Sequence, residues 1–177
     1  MPPTPHARLF RRFLVEDPAA TMQEIAADRL RLEEARRRDD QAAMLAISTG
    51  IGFCLYITAN EAEAAPMLDS ALTLARRLGD RSAEIEALLH LATARQYLGE
   101  RDLAQALFQE GLDRSQVYGI DAFVHFILHH QGRCYAEQGR IEDARHSFER
   151  ALPLREQLGN PRFVNSTRAA LADRADW

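Results

Sequence analysis

The sequence predicts an all-α protein made of stacked antiparallel helix hairpins. Three observations carry that prediction. A 40-residue pattern recurs along the chain, apolar residues fall at helical spacing inside each half of it, and the composition suits helices. Of the 177 residues, 46% are hydrophobic and only 7% aromatic. Frequent Ala and Leu with few aromatic and β-branched residues favour closely packed helices over sheets.

The repeat is read by shifting the chain by 40. Ala64, Ala104 and Ala144 then align, followed by Leu68, Phe108 and Phe148, by Ala71, Gly111 and Ala151, and by Leu72, Leu112 and Leu152. Gly52, Ala92 and Gly132 stand upstream in each unit, and Gly79, Gly119 and Gly159 close them. A fixed period of this length marks a repeat architecture, in which each unit buries its apolar face against the next. The expected organisation is an N-terminal segment, 1–39, three repeats, 40–79, 80–119 and 120–159, and a C-terminal capping helix, 160–177.

The N-terminal segment opens with HARLFRRFLVED. Leu9 and Phe13 lie one helical turn apart, as do Phe10 and Leu14, with Arg8, Arg11 and Arg12 on the other side. This predicts a short amphipathic helix packed near Leu30 and Leu32, or else an exchanged arm or dimer contact, or surface binding to a membrane or nucleic acid, which the following Glu16 and Asp17 disfavour. Thr21 to Arg38 falls in register as a degenerate second helix, with Leu32 in the column of Leu72. Arg36, Arg37 and Arg38 are flanked by Glu33, Glu34, Asp39 and Asp40, so cations near a helix end need no partner to explain them.

Repeat 1 is the least regular. Pro66 falls where helix interior is expected, and Pro153 does the same in repeat 3, so the second helices there are expected to start late or to kink. Repeat 2 reads most clearly. Its first helix should run from about Arg81 to Leu98, on the stripe Leu88, Leu91, Ala92 and Leu98. Gly99 ends it in a left-handed turn. Its second helix should run from about Asp102 to Tyr118, on Ala104, Leu107, Phe108, Gly111 and Leu112. Small residues at Ala92, Ala104 and Gly111 let the helices approach, and Phe108 is expected to fill the gap to the next hairpin. Asp80 and Asn160 can cap the helices that follow them, with Pro161 at the first helical position. The C-terminal stretch FVNSTRAALADRADW is partly polar, as a cap should be.

Candidate chemistry is sparse. Cys54 and Cys134 hold equivalent slots two repeats apart, about 20 Å at one helix spacing per repeat, which exceeds disulfide reach. His125 and His129 are four apart, a possible metal pair, but no carboxylate or Cys completes a site at matching spacing. His90 and His130 share a column, which points to a stacking position. There is no phosphate loop, nucleophile elbow or zincin motif. No catalytic residue, metal or cofactor is expected, and the chain does not read as an enzyme. A net charge of −4 gives no reason to expect nucleic acid. No apolar run is long enough to span a bilayer, and no secretory pattern opens the chain, so a cytoplasmic location is expected.

The alternation of small and large residues, the Gly at the hairpin turn and the Ala–Phe–Ala spacing resemble tetratricopeptide repeats. The 40-residue period is similar to the long-helix form found in bacterial signal-responsive regulators and quorum-sensing response proteins. The resemblance covers Asp40 to Gly159. It implies a right-handed superhelix, an α-solenoid, whose first helices line a concave face. Helical phase together with this resemblance places Thr49, Phe53 and Tyr56 on that face from repeat 1. Glu86, Leu89, Thr93 and Gln96 come from repeat 2, and Phe126, His129 and Arg133 from repeat 3. Some relatives clamp a peptide carboxylate with Lys and Asn on these helices. Here the slots hold Thr49, Phe53, Leu89, Thr93, His129 and Arg133, and all 22 basic residues of the chain are Arg. Such a clamp is therefore not expected, although Arg133 could hold an anionic group. The resemblance implies a non-enzymatic scaffold that binds a peptide or protein segment on its concave face. The alternatives are a regulatory or sensor module of a bacterial signalling or transcription system, and a homodimer formed through the N-terminal arm or the end helices.

Overall fold

A computed structural model describes residues 15–172. The segment His6 to Leu14, where the N-terminal amphipathic helix is expected, and the last five residues of the cap lie outside the described residues. Among the described residues are eight helices and no strand. They are α1 (Pro18–Arg37), α2 (Gln41–Ile57), α3 (Glu61–Leu78), α4 (Arg81–Tyr97), α5 (Arg101–Tyr118), α6 (Val124–Glu137), α7 (Ile141–Leu158) and α8 (Pro161–Ala172). None is long and apolar enough to cross a membrane. The described chain falls into two compact bodies, 15–107 and 108–172, with the division inside α5.

The helix starts keep the spacing of the sequence. α3, α5 and α7 begin at Glu61, Arg101 and Ile141, while α2, α4 and α8 begin at Gln41, Arg81 and Pro161. Asp40 and Asp80 cap α2 and α4, each accepting through Oδ1 from the backbone N–H of Ala43 and Ala83 at 3.0 Å. The equivalent position in repeat 3 is Ile120, which has no oxygen to offer. α6 accordingly starts later, at Val124, after Phe123, which makes no side-chain cap. The degenerate N-terminal helix is longer than its sequence register suggests. Asp17 caps α1 through Ala20 N–H at 2.9 Å, and Pro18 takes the first helical position.

The two prolines correct an expectation. α3 starts five residues before Pro66 and α7 twelve before Pro153, and both run unbroken. Both rings are exposed. On the α3 face the carbonyl left without a donor belongs to exposed Ala62, on the side of the helix open to solvent.

The turns are set by left-handed residues. Gly79, Gly99, Gly119, Gly139 and Gly159 all have φ between 66° and 84°. Two other residues do the same: Asp39 at 52°, in the column of Gly79, and Ala59 at 67°, in the column of Gly99 and Gly139. A left-handed Ala costs about 1–2 kcal/mol, part of which Gly returns as unfolded-chain entropy. Ala59→Gly is therefore expected to stabilise the chain by about 0.5–1 kcal/mol. Denaturant unfolding checks this; an unchanged midpoint would contradict it.

Within each body, a large side chain of the second helix enters a notch left by a small residue of the first. A Cβ on Gly52 would lie 2.5 Å from Leu68 Cγ, and one on Gly132 would lie 2.8 Å from Phe148 Cε1. In body 15–107 the core joins Ile25 and Leu32 of α1, Ile51 and Leu55 of α2, Leu68 and Leu72 of α3, and Leu88 and Leu91 of α4. In body 108–172 Phe148 packs with Ala136, Ala144 and Ala170. Phe148 thus fills its own hairpin and also meets α8. Phe108 reaches the following hairpin as expected, its ring stacked on His130 with centroids 6.4 Å apart.

Arg36 pairs with Glu33, while Arg37 and Arg38 both pair with Glu34. Arg37, then Arg38, holds the exposed Glu34 carboxyl below its ordinary range. These are solvated intrahelical pairs of small energetic weight.

Candidate functional site

In body 15–107, α2 is the unusual helix. Its seventeen residues include no Asp, Glu, Lys or Arg. Phe53 nevertheless stands on its surface, 37% exposed. The Phe53 ring meets Tyr56 edge-on at 5.4 Å and His90 of α4 at 5.3 Å. Tyr56 Oη and His90 Nδ1 share a hydrogen bond of 2.9 Å, and the Tyr97 ring lies 6.0 Å from Tyr56. One turn before Phe53, a Cβ added to Gly50 would touch nothing within 4 Å, so this part of the face is open. Glu86 is half-exposed, with His90 Nε2 3.8 Å from its Oε1.

Other residues expected on this face are turned inward. Thr49 and Thr93 are buried, and each donates its hydroxyl to a backbone carbonyl one turn back, Leu45 at 3.0 Å and Leu89 at 2.9 Å. Leu89 and Tyr56 are buried, and Gln96 is only 1% exposed. The neighbouring helices cover these positions, leaving Phe53 and Glu86 as the accessible pair of the seven. His90, absent from the residues expected on the face, supplies the link between them.

In body 108–172, Phe126, His129 and Arg133 lie on α6. Phe126 is half-buried, whereas His129 and Arg133 are buried. The Phe126 ring sits 5.0 Å from Phe163 of α8, edge to face. Beneath them runs Arg155 of α7, 2% exposed. Its Nη1 donates to Phe163 O at 3.1 Å, Ser166 Oγ at 3.0 Å and Thr167 Oγ1 at 2.9 Å. Thr167 Oγ1 also lies 3.2 Å from His129 Nδ1. Sequence reasoning missed Arg155, although it shares a column with Ala75 and Ser115, both buried.

Burial lowers the Arg155 pKa to about 10, so it stays charged at neutral pH. Burial and then the Arg155 charge push His125 down to about 4. The same two causes, followed by His130, Arg133 and His125, hold His129 well below its ordinary value. Above 6.5 these histidines are neutral folded or unfolded and contribute nothing. As pH falls from 6.5 towards 4, the unfolded chain takes protons that folded His125 refuses, so stability falls through that window. Denaturant midpoints from pH 8 to pH 4 should show this decline, and His125→Phe should make it shallower. A slope identical to the parent would contradict the assignment.

Among the described residues, no three His, Cys, Asp or Glu side chains come together as a metal cage. Cys54 and Cys134 are free thiols, and burial, then Glu24 and Asp28, raises the Cys54 pKa.

Repeated helix hairpins that display an uncharged, ring-bearing helix face define a helical-repeat scaffold. The tetratricopeptide repeat family model matches residues 85–157, and this stretch of the chain consists of tetratricopeptide repeats. No curated protein matches the chain. Tetratricopeptide repeats generally mediate protein–protein interaction, and the family is typically a non-enzymatic scaffold.

Proposed function

We propose that this protein is a non-enzymatic scaffold that binds a peptide or protein segment on the face formed by α2 and α4. The observation that carries the reading is Phe53, an aromatic ring exposed on a helix without a single charge. Folding alone gives no reason to place it there, and aromatic side chains are common energetic anchors at interfaces. Phe126, on α6 of body 108–172, is a further ring left partly exposed. Arg133 and His129 are buried and support α6 from within.

A photo-crosslinking phenylalanine analogue at position 53 tests this in the native cell. It should give discrete protein adducts, whereas the same analogue at Val117, a 75% exposed position on α5, should not. Equal yields at both positions would overturn the reading. Phe53→Ala should remove the interaction while leaving the helical spectrum unchanged.

A further inference from the structure

We propose that the α2–α4 face accepts a cationic side chain, the guanidinium or ammonium group of an incoming protein segment, beside the Glu86 carboxylate at the edge of the Phe53–Tyr56–His90 ring cluster. This rests on the reading that the face binds protein, and adds the charge of what it binds. The first argument is electrostatic. Arg29 is paired with Glu63, Arg76 with Glu84 and Arg95 with Glu100. Among the described residues, no arginine pairs with Glu86. Its neighbour is His90 Nε2 at 3.8 Å, outside the 2.7–3.2 Å of a hydrogen bond.

The second argument is the surroundings of that carboxylate. α2, opposite, carries no charge of either sign, so nothing on it repels or neutralises a cation. The His90 ring lies 5.3 Å from Phe53 and 5.8 Å from Tyr56, so the carboxylate stands at the edge of a three-ring cluster. Aromatic faces attract cations through the ring quadrupole, and a nearby carboxylate adds directional hydrogen bonding. The open space at Gly50 admits a side chain alongside. An anionic segment would meet the Glu86 carboxylate.

The test is an NMR titration of the full chain at pH 8 with Nα-acetyl-arginine methylamide. Nα-acetyl-citrulline methylamide, of the same shape without charge, is the control. Saturable shifts are expected at Phe53, Tyr56 and Glu86 with the arginine compound, and at least tenfold weaker binding of the citrulline compound. Glu86→Gln should bring the arginine affinity to within about twofold of citrulline, with an unchanged melting temperature. Raising the salt concentration should weaken the arginine complex alone. Equal affinity for both compounds, undiminished binding in Glu86→Gln, or no shift at Phe53 with either compound would each overturn the cation assignment. Crosslinking at position 53 judges the protein-binding reading separately: adducts there with no charge preference in the titration would leave that reading standing and remove this one.

Discussion

Cutting Phe148 back to Ala is expected to lower the unfolding free energy by about 3–5 kcal/mol, the usual range for a buried aromatic. The ring is completely buried. It lies against the one place on α6 with room for it, the missing side chain of Gly132, and it also touches Ala144 of its own helix and Ala170 of α8. Those partners are small and already in contact, so they have little freedom to move into the vacated volume. The reciprocal change points the same way: Gly132→Ala would place a methyl 2.8 Å from the ring and should cost about 1–3 kcal/mol by overpacking. Denaturant unfolding of both variants checks the pair. A loss below about 1 kcal/mol for Phe148→Ala would mean that the notch and the ring do not hold this hairpin together.

Arg155→Ala is expected to cost about 2–3 kcal/mol and to loosen α8 selectively, since hydrogen bonds from a charged group carry about 1.5–3 kcal/mol. Among the described residues, Arg155 has no carboxylate as a hydrogen-bond partner. A backbone carbonyl and two hydroxyls of α8 take the place of water around its Nη1. Its guanidinium carbon also lies 5.9 Å from the Phe126 centroid and 5.5 Å from Phe163, within cation–π range. Arg155→Met separates these contributions, because it keeps the apolar stem and discards the donors. If the donors hold α8, hydrogen exchange of the α8 amides should accelerate in both variants. Protection equal to the parent in Arg155→Met would assign the effect to packing instead.

Much of this architecture can be read from residue columns, because a column reports what one structural slot tolerates. The notches at Gly52 and Gly132 and the rings at Phe108 and Phe148 are legible for that reason. The delayed start of α6 is legible too, since Ile120 stands where Asp40 and Asp80 supply caps. Arg155 is harder. Its column places it inside, but the atoms that satisfy it come from Phe163, Ser166 and Thr167, outside its own repeat. The expected binding face shows the same limit. Helical phase groups Thr49, Phe53 and Tyr56 on one side of α2, yet it takes no account of what packs over that side. Thr93 and Gln96 have the right phase and are covered, whereas His90, read only as a stacking residue, turns out to join Phe53 to Glu86.

The two left-handed residues that are not glycine, Asp39 and Ala59, bracket α2 and no other helix of the described chain. A penalty of one or two kcal/mol corresponds to a 5- to 30-fold lower occupancy of the required backbone state in the unfolded chain. Every other reversal of the repeats begins from a glycine that visits this state freely. The turns on either side of α2, and the one at Ala59 above all because Asp enters this region more readily, therefore draw on a sparser unfolded-state population than the glycine turns do.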